Sequence, residues 1–139
     1  MSRLLIAVAL VLVAVAMALV LRRRRPAPPT QPRWAVPVQL DRADFEGPSA
    51  PWLVVVFTSA TCESCGQATA KAAVLASPEV AYQEVSYQQR QDLHDRYGIE
   101  AVPTILVAGA DGAVRVSFVG VPGATDLWAA VAEARSPAG

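Results

Sequence analysis

Residues Trp52-Leu53-Val54-Val55-Val56-Phe57-Thr58-Ser59-Ala60-Thr61-Cys62-Glu63-Ser64-Cys65-Gly66 run from an apolar, β-branched stretch into a Cys-x-x-Cys pair. Trp52 to Phe57 are six apolar residues in a row, which suits a central strand buried on both faces. Gln67 to Leu75 are good helix formers, so the cysteines fall where a strand hands over to a helix N-terminus. Unpaired backbone N–H groups and the positive end of the helix dipole stabilise a thiolate at such a place. The second sulfur, one helical turn on, lies within reach of the first, so the pair can open and close as a disulfide. The residues read as a redox dithiol on a strand–helix junction.

Blander readings of the pair stand beside that one. Free cysteines are often small buried apolar residues. A structural zinc site takes four ligands, and the chain offers only Cys62, Cys65 and the lone His94. A structural disulfide across so short a loop removes little chain entropy.

The first part of the 139-residue chain is of another kind. Leu4 to Leu21 are eighteen consecutive apolar residues, about 27 Å as a helix against a hydrocarbon core of roughly 30 Å. Arg22-Arg23-Arg24-Arg25 follow at once and act as a stop-transfer flank, which favours an uncleaved single-pass anchor over a signal peptide. Residues 1–25 are thus an anchor, 26–37 a proline-rich, semi-rigid linker, and 38–136 one folded domain. Positive flanks stay inside, so the arginine run favours the cytoplasmic face of the cell membrane, with the extracytoplasmic face as the alternative.

Net charge is zero but unevenly spread. Residues 1–40 carry six arginines and no acid, whereas from Asp41 onward six basic residues face twelve acidic ones, a net of −6. A mildly acidic domain lacks the basic face that nucleic acid requires.

Along the domain, Val36 to Leu40 read as a short first strand, and Asp41 as the cap of a brief helix through Phe45. The strand from Trp52 and the Cys-bearing helix follow, the helix ending near Ser77-Pro78. Val80 to Ser86 read as a strand and Gln88 to Tyr97 as a polar helix stopped by Gly98, with His94 on its surface. Thr104 to Ala108 and Val114 to Val119 form a hairpin around Asp111-Gly112. Thr125 to Arg135 close the chain as a helix with Leu127, Trp128 and Val131 on one face. This order predicts an α/β fold, a mixed central sheet with helices on both faces.

From residue 36 to 135 the chain resembles the thioredoxin superfamily. The resemblance rests on the strand into Cys62-Glu63-Ser64-Cys65, on Tyr97-Gly98-Ile99-Glu100-Ala101-Val102-Pro103-Thr104, and on the Asp111-Gly112 hairpin followed by Gly120 and a terminal helix. It implies a thioredoxin-like three-layer fold, Cys62 as attacking thiolate, Cys65 as resolving thiol, and a cis Pro103 facing the dithiol. Thr61, Val102 and Pro103 are then the substrate-binding residues.

The chain also departs from the pattern. The buried Asp that lies six residues before the family's first Cys is Val56 here, so the proton of the resolving thiol needs water or another group. The preceding Trp is Thr61, the Gly-Pro dipeptide is Glu63-Ser64, and the helix-kinking proline is Ala70. Glu63 places a carboxylate beside the thiolate; it raises the Cys62 pKa relative to a neutral dipeptide and favours the disulfide, making the dithiol a better reductant.

The expected function is a membrane-anchored thiol–disulfide oxidoreductase that reduces protein disulfides. Its partners are a protein disulfide and a thiol reductant that restores the dithiol. With no Gly-rich phosphate loop and no metal cluster in the sequence, no cofactor is expected. The alternatives are a Cys pair that holds a soft metal such as Cu(I), and a docking module without turnover.

Overall fold

The computed structural model describes residues 1–23 and 34–136. It separates into two units, Met1–Arg33 and Trp34–Gly139. The first holds α1, Ser2–Arg23, an apolar helix long enough to cross a membrane. Most of the expected linker, with Arg24 and Arg25, lies outside the described residues.

The second unit is an α/β fold around a four-stranded sheet. Its elements are β1 (Trp52–Thr58), α2 (Cys65–Ala73), β2 (Val80–Ser86), α3 (Gln91–Arg96), β3 (Thr104–Gly109), β4 (Val114–Val119) and α4 (Ala124–Arg135). The spatial order is β2-β1-β3-β4. β1 pairs with β2 in parallel and with β3 antiparallel, and β3 pairs antiparallel with β4.

The apolar run predicted to be central is central. Leu53 to Phe57 are fully buried, and their two parities feed two separate cores. Leu53, Val55 and Phe57 pack with Leu40, Phe45, Val85, Leu93 and Leu106. Val54 and Val56 pack on the other face with Ala68 and Ala72 of α2 and Leu127 and Val131 of α4. Burial of each such aliphatic or aromatic side chain contributes about 1.5–3 kcal/mol, so this strand anchors both layers. In β4 a register shift leaves Arg115 as an extra residue, because Val107 faces Val116 while Ala108 faces Val114. Val114 therefore packs into the first core and Val116 and Phe118 into the second.

The described residues from Trp34 to Leu40 form no strand. They make one bridge, Gln39 to Ala113, with Leu40 N donating to Gly112 O (2.8 Å) and Val114 N to Val38 O (2.9 Å). Pro37 has no N–H to carry the ladder further back. Asp41 does cap a short 3₁₀ turn, Arg42–Asp44, its Oδ1 accepting from Ala43 N (2.9 Å). Arg42 itself is buried; Nη1 donates to Gly109 O (2.9 Å) and Nη2 to Gly47 O (3.0 Å), while Nε has no partner. Burial lowers its pKa.

Three other elements differ from expectation at their ends. α2 stops at Ala73, and residues to Ala76 turn through shorter bonds, Leu75 N to Ala72 O (3.0 Å) and Ala76 N to Ala73 O (3.2 Å). α3 starts only at Gln91, because Gln89 N and Arg90 N both turn back to Ser86 O (3.2 and 2.9 Å). On α4, Leu127 and Val131 are buried, but Trp128 sits at the margin with Nε1 donating to Lys71 O (3.0 Å).

Candidate redox site

β1 delivers the chain to a short loop, Ser59–Ser64, from which α2 begins at Cys65. The loop is pinned by Cys62 N donating to Ser59 O (3.1 Å). Cys62 and Cys65 are joined as a disulfide with Cα atoms 5.5 Å apart. Cys62 is half-buried and Cys65 is buried, so the first sulfur is the accessible one.

Ser64 occupies the N-cap position of α2, yet its side chain makes no capping bond. Its hydroxyl lies 3.7 Å from Cys62 Sγ instead, and it is the donor, since a disulfide sulfur carries no hydrogen. The first-turn N–H groups of α2 are thus not capped by a side chain, and this is the environment that stabilises a thiolate once the bond is opened. Glu63 and Thr61 are exposed; Thr61 Oγ1 is 3.1 Å from Ser59 Oγ.

Gln88 braces this loop from the β2–α3 connection. Its Oε1 accepts from Ala60 N (2.9 Å) and from Ser86 Oγ (3.2 Å), and its Nε2 donates to Ser59 Oγ (3.1 Å). Nothing in the residue pattern singles it out, beyond its place as a polar residue just after a strand.

The second flank of the site is the segment entering β3. The Val102–Pro103 peptide bond is cis. Pro103 is buried, its carbonyl accepting from Gly120 N (2.8 Å), and Thr104 Oγ1 donates to Ala101 O (2.7 Å). Phe57 faces Thr104 in the register, so Val102–Pro103 runs beside the loop that leaves β1. Ser59 and Val102 line one common depression. Four of the residues picked from sequence (Cys62, Cys65, Val102 and Pro103) therefore lie at one end of the sheet, with Thr61 and Glu63 in the loop between.

Val56 is sealed in the sheet, and its cross-strand neighbour in the parallel register is Glu84. Glu84 Oε1 accepts from Thr58 Oγ1 (2.9 Å), one pleat nearer the cysteine loop.

His94 is the clearest departure from expectation. It is 3 % exposed rather than on the surface. Nε2 is 2.9 Å from Val85 O, and the ring stands edge-on to Phe57 (5.1 Å) and Tyr87 (5.3 Å). Because α3 begins three residues later than the pattern suggested, its phase turns Leu93 and His94 inward together. Among the described residues no cluster of three or more metal-ligating side chains occurs.

No protein-family model matches the chain, and no curated protein does. Solved structures do. A thioredoxin from Halobacterium salinarum superposes with a TM-score of 0.59 at 19% identity, over 73% of this chain and 90% of that one. The thioredoxin of Fasciola hepatica gives 0.54 at 26% identity, over 62% and 83% of the two chains. That of Malassezia sympodialis gives 0.55 at 20% identity, over 76% and 96%. The second unit has the thioredoxin fold. Together with the Cys62–Cys65 pair, that fold supports a thiol–disulfide oxidoreductase.

Proposed function

We propose that the protein is a membrane-anchored thiol–disulfide oxidoreductase whose dithiol form reduces protein disulfides. The observation that carries the reading is the Cys62–Cys65 pair at the start of α2, with the accessible sulfur on Cys62 and Val102–Pro103 alongside. The Cys62 thiolate attacks one sulfur of the partner disulfide. A Cys62–partner disulfide forms, and the partner's other sulfur leaves as a thiolate that takes up a proton. Cys65 then gives up its proton and attacks Cys62 Sγ, which releases the partner's second sulfur as thiolate. Two electrons pass to the partner, and the Cys62–Cys65 disulfide remains. An external thiol reductant returns the pair to the dithiol.

Thr61, Val102 and Pro103 are the surfaces against which the partner backbone lies. Glu63, exposed between the cysteines, disfavours a thiolate on Cys62 and so biases the pair towards giving electrons. α1 is the anchor, and the arginines after it favour the cytoplasmic face.

The test is a pair of variants of the full chain. Cys62→Ser abolishes reduction of a peptide disulfide by the pre-reduced protein, and Cys65→Ser accumulates a mixed disulfide that survives non-reducing electrophoresis and collapses with reductant. Full reductase activity in Cys62→Ser would overturn the reading.

A further inference from the structure

A depression of about 210 Å³ opens beside the redox loop, between Ser59, Tyr87, His94, Ile99, Glu100 and Val102. It falls below the roughly 300–1,000 Å³ of sites for drug-sized ligands, and is of the size that takes a single side chain. Its lining combines acceptors, a carboxylate and an aromatic ring.

His94 is more than nine-tenths buried, and its Nε2 bonds Val85 O. A carbonyl can only accept, so in the neutral ring the proton is on Nε2 and Nδ1 carries a lone pair. Nδ1 makes no hydrogen bond among the described residues. Nor is it sealed, because Arg42 Nε is the one buried, unpartnered side-chain nitrogen or oxygen found among them. His94 is one of the residues that line this depression. Ser59 Oγ already accepts from Gln88 Nε2 (3.1 Å). Glu100 stands exposed at the rim and forms no ion pair among the described residues, nor does Glu63 in the redox loop. The nearest cation in sequence to Tyr87, Arg90, is held by Asp92 through two bonds of 3.0 Å. The remaining walls are apolar or aromatic, with Tyr87 40% exposed.

An acceptor at the base, a carboxylate at the rim and an aromatic wall between match a group with donors only and an apolar stem. We propose that this depression binds a lysine or arginine side chain next to the reactive cysteine of the partner polypeptide. The stem lies against Ile99, Val102 and the Tyr87 ring, and the cationic head meets His94 Nδ1 and Glu100. The net charge of −6 from Asp41 onward draws such a partner in. The inference rests on the thiol–disulfide reading above and adds its sequence preference.

The experiment uses the full chain, pre-reduced, in micelles of an uncharged detergent. Its probes are disulfide-linked peptide dimers in which the cysteine is followed by Lys, Gln or Glu, with hydroxyethyl disulfide as a small substrate. Each peptide rate is divided by that of 2-mercaptoethanol with the same peptide, which removes the effect of the neighbouring charge on the leaving thiol. The Lys peptide is expected to react about tenfold faster than the Gln peptide, and the Glu peptide slowest. His94→Gln and Glu100→Gln bring the Lys-to-Gln ratio to within about twofold, while Glu133→Gln, an exposed acid on α4, keeps it. Glu100 is exposed, so its variant folds even where the buried histidine's does not. A Lys-to-Gln ratio near one in the unaltered protein overturns the proposal, as does an equal fall in Glu133→Gln, which would reduce the preference to net charge. Failure to reduce hydroxyethyl disulfide as well as every peptide overturns the thiol–disulfide reading itself, and the pocket assignment with it.

Discussion

Glu84 on β2 stands directly across the parallel register from Val56 on β1. At this end of the sheet the interior position is a valine and the carboxylate belongs to the neighbouring strand, where it meets solvent and the Thr58 hydroxyl. On the mechanism proposed above, proton removal from Cys65 then runs through water, with Glu84 the acid across the register from Val56. Glu84→Gln is expected to slow resolution of the mixed disulfide by about tenfold, well short of the roughly 10²–10⁴ of a directly placed base. Single-turnover release of a fluorescent peptide thiol measures it; an unchanged rate would assign the proton to bulk water alone.

Val56→Asp tests the same relationship from the other side. The substitution seals a carboxyl in the second core beside Glu84, and is expected to cost at least about 2 kcal/mol in denaturant unfolding at neutral pH. Burial raises the pKa of the introduced carboxyl, so the pH-dependent part of the penalty is absent in acid, where the cost of burying the neutral acid remains, and it grows as pH rises from the unfolded value to the folded one. A loss independent of pH would mean that the carboxyl escapes to solvent.

Gln88→Ala removes two hydrogen bonds that join the redox loop to the β2–α3 connection, to Ala60 N and Ser59 Oγ, and a third to Ser86 within that connection. Each is exposed, so the expected cost is about 1–2 kcal/mol in total rather than the sum of three buried bonds. The specific signature is faster hydrogen exchange at the Ala60 amide, and unaltered exchange there would sink the brace.

Two glycines are predicted to respond in opposite directions. Gly112 has φ 77°, and a Cβ there would be driven into Leu40 O, with Leu40 C at 3.1 Å. Gly112→Ala is therefore expected to cost about 2 kcal/mol or more, because backbone cannot step aside. Gly66 lies in α2 with nothing within 4 Å of the point where an added methyl would stand, and Gly66→Ala is expected to gain about 0.5–1 kcal/mol. Thermal melts of the two variants decide the pair.

Tyr97 gives an alkaline signature. Burial first, and then its hydrogen bond to Asp44, raise its pKa above the ordinary value. The folded state thus holds this proton more tightly than the unfolded state. The resulting stabilisation is complete below the unfolded value near 10 and is lost as pH rises through the higher folded value. Tyr97→Phe should flatten part of that alkaline decline, Tyr82 contributing the remainder because burial raises it as well. An identical decline in the variant would remove Tyr97 from the account.

The strands were legible where burial on two faces writes an unbroken apolar run, as in Trp52 to Phe57, and where turn residues bracket a hairpin, as at Asp111-Gly112. The Cys pair was legible because its chemistry needs a helix N-terminus, and the helix formers after Cys65 supply one. What the sequence does not show depends on contacts far apart along it. His94 looks polar and exposed until the late start of α3 turns it towards Phe57, 37 residues earlier by number. Gln88 and Arg42 act through side-chain bonds to backbone that no periodicity records. Val36 to Leu40 has strand composition, but Pro37 and the cap at Asp41 leave room for a single bridge.

The chain enters its folded unit at the end of the sheet remote from the cysteines. Gln39 and Leu40 join the β3–β4 turn at Ala113 and Gly112, whereas Val102–Pro103 and the redox loop lie at the opposite ends of β3 and β1. The six residues of β3 hold these two poles about 20 Å apart. Tension on the chain ahead of Gln39 loads the Leu40–Gly112 bond and the Arg42 clasp on Gly109 before it reaches β1, and leaves the Cys62–Cys65 end of the sheet slack.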